Sequence, residues 1–239
     1  MIERGVVRLA GLAAAHGFET RRGTLNGTLP SPALRLRQAH GSGVLLIDPS
    51  TELQPFQSTA VADRPCGDAL ITQRPDVTLA IATADCLPAL AFDVATGSIG
   101  AAHAGWRGIA TGVIPAMMGA MAREFGTEPR NCFVALGPCI GADVYRVADD
   151  VMTSFRAAGV PMTTFTQPRD ETDRNSEPHR TWLCDLVGAA RFQLQACGVD
   201  PVRLHASGRC TFSEPDDFHS YRRDGDAAGR MLSGIALTR

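Results

Sequence analysis

His40, Cys86 and His103 are the residues whose types and surroundings most invite chemistry. His40 follows an alternating run in RQAHGSG, Cys86 separates two apolar runs in TADCLP, and His103 closes another run in AAHAGWRG. Each is expected at a strand end, on a loop held by a rigid sheet, where catalytic groups concentrate. Two imidazoles and one thiolate suit a borderline-soft divalent ion, zinc above all, and three protein ligands leave a fourth tetrahedral position open. The same residues allow a metal-free reading, with Cys86 as nucleophile and His103 or His40 as base. The intervals between them are long and unequal, unlike those of zinc fingers or of an HExxH helix, so spacing leaves both readings open.

A second concentration lies near the C-terminus, where FHSYRRDGDAAGR gathers His219, Tyr221, Arg222, Arg223 and Arg230. It reads either as a solvated loop or as an anion site built from guanidinium forks. All 23 basic side chains of the sequence are arginine. The absence of lysine excludes a Walker-type phosphate loop and Schiff-base chemistry. Against 25 acidic residues they leave a net charge of −2, which gives no electrostatic footprint for nucleic acid. Among the other histidines, His16 and His179 are expected in solvent and His205 as a hydrogen-bonded core residue. Cys132, Cys184 and Cys197 fit apolar faces, whereas Cys66, Cys139 and Cys210 fall in loops where they could line a site.

The elements that must position these residues can be read from periodicity. Strands are expected over Leu34–Gln38, Gly43–Ile47, Val77–Ala82, Leu87–Phe92, Ser98–Ala102, Cys132–Leu136, Val202–Ala206 and Met231–Leu237. Ile109, Val113, Met117 and Met121 recur every four residues and predict a helix over Gly108–Phe125, which Pro115 should kink or begin. Helices are also expected over Val147–Ala158 and Asp185–Cys197, the latter capped by Asp185 and ended by Gly198. Pro168–Arg180 is wholly polar and reads as a surface loop. Strands clustered early, with helices interspersed irregularly, favour a mixed α+β domain over a doubly wound sheet.

The length of 239 residues fits one large domain or two small ones. Seven cysteines without a CxxC pair point to a reducing compartment. The run Leu9–Ala15 is too short and too rich in alanine for a signal sequence, and no stretch approaches the ~20 apolar residues of a membrane span. A cytoplasmic protein without a membrane partner is expected.

Six motifs carry a resemblance that spacing could not. QAHGSGV, GDALIT, ATADCLPALAFD, IGAAHAGWRG, ALGPCIG with a following Tyr145, and FHSYRRDG…GR stand in the order found in the YfiH family of laccase-domain proteins. The chain resembles that family from about His16 to its end. The resemblance implies one domain over residues 1–239, layered α/β/β/α with mixed sheets, similar to the catalytic domain of cytotoxic necrotizing factor toxins. It implies a purine nucleoside phosphorylase with adenosine deaminase activity, and a metal, zinc with copper possible, held by His40, Cys86 and His103. Cys86, His103 and Asp85 are then the catalytic candidates, with Asp85 either carrying a proton or orienting its loop. Arg107, Arg222 and Arg223 are the candidates for holding phosphate.

The sequence departs from the family between its HGF start and the QAHG strand. Only Gly23–Arg37 connects them, in place of a longer segment with a helix, so a more open pocket is expected. Copper-dependent oxidation of phenols is the first rival reading, and the lack of paired H-x-H motifs argues against a multicopper centre. A cysteine hydrolase or amidase editing peptidoglycan precursors is the second.

Overall fold

Residues 2–3, 6–7, 14–23, 29, 32–166 and 181–237 are described in a computed structural model of the chain. The apolar runs of the middle of the sequence form a mixed six-stranded sheet. Its order is β14 (Leu204–Ala206), β10 (Cys132–Leu136), β8 (Leu87–Asp93), β9 (Ser98–Ala104), β6 (Ala69–Thr72) and β5 (Val44–Ile47). All seven residues of β9 are buried, because this strand has a core on each side. Ile99 and Ala101 face one core, while Ala102 and Ala104 face the other.

The first core lies between this sheet and a second one. The second sheet runs β1 (Ile2–Glu3), β2 (Val6–Val7), β3 (Ala15–Glu19), β15 (Met231–Ala236), β7 (Thr78–Thr83) and β4 (Ala33–Leu34). Phe18, Leu79, Ile81 and Ile235 meet Leu70, Leu90 and Ile99 across the interface. A small third sheet joins β11 (Arg146–Ala148), β13 (Thr181–Cys184) and β12 (Phe165–Thr166).

Helices cover the other face of the central sheet: α2 (Trp106–Ala110), α3 (Val113–Phe125), α4 (Asp149–Ala157) and α5 (Leu186–Ala196). Two short ones, α1 (Gln54–Gln57) and α6 (Tyr221–Asp224), complete the set among the described residues. The architecture is the expected mixed α+β class. Three of the four implied layers, helix, sheet and sheet, are formed by described residues. The close approach of α3 depends on Gly100, whose β-carbon would lie 2.9 Å from the sulfurs of Met117 and Met121.

Several elements differ from the sequence expectation for identifiable reasons. The helix expected over Gly108–Phe125 is divided at Gly112, which adopts φ 81°, and Pro115 stands in the first turn of the second piece. Of Leu34–Gln38 only Leu34 belongs to a strand, pairing in β4 (Ala33–Leu34), and Arg37 makes an isolated bridge to Cys66. Beyond them the Gln38 side chain replaces the ladder, donating to the Ala82 carbonyl at 2.8 Å and accepting from its N–H at 2.9 Å. The helix expected from Val147 begins at Asp149, because Val147 pairs with Trp182 in the third sheet. Asp185 does cap α5, accepting from Gly188 N–H at 2.8 Å. His16 is buried on β3 rather than solvated. The loop Pro168–Arg180, His179 within it, and most of the stretch 24–31 in the shortened connection lie outside the described residues.

Gly137, just past the end of β10, packs directly against Phe18 of the second sheet. A β-carbon there would lie 2.3 Å from the Phe18 ring and 2.7 Å from Pro88. Gly137→Ala should therefore cost about 1–3 kcal/mol through overpacking. A urea or thermal unfolding midpoint equal to the wild type's would show that Phe18 yields freely.

Candidate metal centre

Tertiary structure brings His40, Cys86 and His103 together. Their donor atoms all lie within 4.8 Å of one another, and the two imidazole rings meet edge to face with centroids 4.8 Å apart. A tetrahedral ion with bonds of 2.0–2.3 Å would need donors about 3.5 Å apart, a small contraction from this arrangement. The set therefore fits a borderline-soft divalent ion. His103 is 3% exposed while His40 is exposed, so the cluster opens to solvent on the His40 side.

Each ligand reaches this point differently. His103 is not on a loop as expected but is the penultimate residue of β9, opposite Pro88. Cys86 directly precedes β8, in the connection from β7. His40 lies in the loop before β5 with φ 59°. Only His40 and Asp85 among the described non-glycine residues have positive φ, so the unfavourable backbone is concentrated at this cluster.

The residue that sequence reasoning missed is Asp68, immediately before β6 and 1% exposed. Its Oδ1 accepts from the His40 N–H at 2.9 Å, and its Oδ2 from Ala39 and Gly41 N–H at 3.2 and 2.8 Å. The Nδ1–H of His103 donates to the same Oδ1 at 2.9 Å. Burial alone would raise this carboxyl's pKa, but the bonds from His103 and the loop amides outweigh burial and hold it below the usual range. A signal was present in GDALIT, where an aspartate directly precedes an apolar run: a carboxylate carried into the core with that run needs partners.

The same logic governs the thiol. Burial would raise the Cys86 pKa, yet hydrogen bonding to His103 and His40 lowers it to about 6. His103 moves the other way, to about 9, because Asp68 and Cys86 overcome its desolvation. The metal-free pair is thus thiolate and imidazolium, and an entering cation would replace the proton between them.

Asp85 ties this centre to the C-terminal segment. Its Oδ1 accepts from the Thr211 hydroxyl at 2.6 Å and its Oδ2 from the Arg222 N–H at 2.7 Å, while its carbonyl accepts from Ile140 N–H at 3.0 Å. Each carboxylate oxygen accepts one hydrogen bond, which suits an anchor of the Cys86 loop. Two glycines of AAHAGWRG make room for the centre. A β-carbon on Gly105 would stand 2.8 Å from Cys86 Sγ, and one on Gly108 would stand 3.0 Å from the His103 carbonyl.

The arginines separate into different roles. Arg223 corrects the expectation of a phosphate contact: its guanidinium donates to the carbonyls of Thr211, Phe212 and Phe218 and to both Asp224 oxygens, leaving no free N–H. Arg222 gives one N–H to the Arg146 carbonyl at 2.7 Å and lies 5.1 Å from the Tyr145 ring, with its remaining donors on an exposed side chain. Arg107 is exposed and stacks 4.4 Å over Trp106. Of the loop cysteines, Cys139 and Cys210 line a separate cavity of about 350 Å³ that includes none of the three ligands. Cys66 is exposed.

A fold of two stacked mixed sheets with one helical layer, carrying a His–Cys–His cluster at strand ends, defines a laccase-domain protein. The sequence model described as multi-copper polyphenol oxidoreductase laccase matches residues 18–238, and the chain belongs to this family. A purine nucleoside phosphorylase of Deinococcus radiodurans is 42% identical over 173 residues, 72% of this chain and 62% of the relative. Another from Bacteroides thetaiotaomicron is 36% identical over 71% of this chain and 60% of its own length. The chain thus spans about three fifths of these two relatives. The purine nucleoside phosphorylase YfiH of Escherichia coli is 34% identical over 88% of this chain and 76% of the relative. The crystal structure of YlmD from Geobacillus stearothermophilus superposes with a TM-score of 0.86 at 29% identity, covering 100% of this chain and 98% of that one.

The coupling within the centre is directly measurable. In chelator-treated protein, alkylation of Cys86 by iodoacetamide should rise with a midpoint near pH 6, not the ordinary 9.0, and added zinc should protect the thiol. A midpoint near 9.0 would show that the imidazoles do not stabilise the thiolate. Gly105→Ala should push Cys86 aside and weaken zinc binding while leaving the unfolding midpoint nearly unchanged. Unaltered zinc affinity would mean that the thiol is not a ligand.

Proposed function

We propose that this chain is a zinc-dependent purine nucleoside phosphorylase that also deaminates adenosine at the same centre, in the cytoplasm and without a nucleic-acid or membrane partner. The observation that carries this reading is the three-donor cluster His40, Cys86 and His103, open on one side, in a chain whose relatives bear the phosphorylase name. Zinc bound there would supply Lewis acidity to both reactions. Asp68 holds His103 and the His40 loop in place, and Asp85 holds the Cys86 loop. Arg222 and Arg107, with free donors on exposed guanidinium groups, are the groups to receive the phosphate dianion, and Arg223 serves only to brace the segment that presents Arg222. The shortened Gly23–Arg37 connection would leave the purine less covered than in longer relatives, and so more weakly bound.

One observation favours a second reading. Asp68, His103 and Cys86 are arranged in series, as the carboxylate, imidazole and nucleophile of a thiol hydrolase are. Copper oxidation of phenols has less support, since the described residues contain one cluster of three donors and no second set.

Incubating the zinc-loaded protein with adenosine and inosine, with and without phosphate, and resolving products by chromatography tests the proposal. Free base and ribose 1-phosphate formed only with phosphate, together with inosine formed from adenosine, are expected. Full activity in chelator would instead support the hydrolase. Arg222→Lys should raise the KM for phosphate several-fold with little change in kcat, since a point charge cannot replace a guanidinium fork. An unchanged KM would remove Arg222 from the phosphate site.

A further inference from the structure

The Asp68 carboxylate bonds two chain segments that are distant in sequence, and each carries a ligand of the centre. On one side it gathers the consecutive N–H groups of Ala39, His40 and Gly41. Three convergent amides of this kind form an anion-binding nest. Here the anion is the protein's own, and it holds His40 at φ 59°, a conformation that a side chain with a β-carbon rarely adopts. On the other side the carboxylate meets Nδ1 of His103 at 2.9 Å. Carboxylate oxygens accept, so Nδ1 carries the proton and Nε2 is left as the ligand atom.

The backbone of Asp68 completes the clamp. Its carbonyl accepts from the His103 N–H at 2.7 Å, and its N–H donates to the Gly43 carbonyl at 2.8 Å. A carboxylate 1% exposed is costly to bury, and an apolar residue in the same place would commonly be as stable or more so. The polar choice therefore points to a task beyond holding the fold.

We infer that Asp68 is the positioning residue of the centre: this one buried anion presets two of its three ligands, holding the proton on Nδ1 of His103 so that Nε2 is the nitrogen that gives its proton up to a metal, and fixing the backbone of His40. The inference rests on the metal reading above. It makes metal affinity depend on a side chain that never touches the ion. Outer partners of this kind typically change metal affinity 10–100-fold when removed.

The test uses zinc and the full chain. Zinc affinity is measured by competition with a chromogenic chelator for the wild type and for Asp68→Asn, alongside the unfolding midpoint of each metal-free protein. The Asn side chain keeps the size but turns an N–H₂ group towards the loop amides or towards Nδ1–H. A 10–100-fold weaker affinity is expected, with the ¹⁵N signals of the neutral His103 ring, read in the metal-free variant at alkaline pH, no longer those of the single Nδ1–H tautomer seen in the wild type. A purely structural role would lower the midpoint and leave affinity and tautomer of the folded protein as they were, and that result overturns the inference. If the wild type itself binds no zinc, the metal reading has failed first. Should Asp68→Asn not fold, hydrogen exchange in the metal-free wild type decides: protected amides at 39–41 are expected, and exchange at the rate of a free loop refutes the preset.

Discussion

A single buried carboxylate, that of Asp68, is the constraint on which the centre depends. Desolvating it would be unfavourable unless every lone pair found a donor. The donors it finds belong to the loop before β5 and to the end of β9, so satisfying one charge draws the two histidine segments together. His103 then faces Cys86, and each favours the charged form of the other, drawing the thiol's pKa down and the imidazole's up. The sequence Asp68, His103, Cys86 is a chain of alternating charge inside a mostly apolar fold. Each member is tolerable there only because of the next.

The same cluster holds both of the positive-φ side-chain-bearing residues found among the described ones. His40 and Asp85 both stand at positive φ, where only glycine is at ease. Each is held by hydrogen bonds from residues distant in sequence: Asp68 for His40, and Thr211, Ile140 and Arg222 for Asp85. Glycine appears instead where space is needed, at Gly105 beside the thiol and at Gly108 beside the His103 carbonyl. The AAHAGWRG motif thus combines a ligand, the room that ligand needs and the start of α2 in eight residues.

Exclusive use of arginine bears on architecture as well as on anion binding. Arg223 joins the carbonyls of three residues and the carboxylate of a fourth. Arg209 pairs with Glu214 and Asp217, while Arg21 and Arg22 donate to the carbonyls of Pro215 and Asp216. Five donors in a rigid fork let one side chain pin more carbonyls of an irregular segment than the three donors of an ammonium group can. The C-terminal segment holds its shape by this means, and Arg222 and Asp85 meet on it.

Much of this was legible from residue order alone. Apolar runs located β8, β9, β10 and β15, the Asp185 cap located α5, and the recurrence of Val113, Met117 and Met121 every four residues located the buried face of α3, because strand and helix periods are local properties of the backbone. Motif order also gave the family and the ligand candidates. What local order could not give was partnership. Gln38 ends a ladder by imitating a peptide, Arg223 spends every donor on carbonyls and on the Asp224 carboxylate, and both Asp85 oxygens accept, each through contacts made only once the chain has folded. Composition therefore determined which chemistry the chain could carry. The fold decided which side chains are free to perform it, because a hydrogen-bonding group is spent or available according to neighbours that lie far away in sequence.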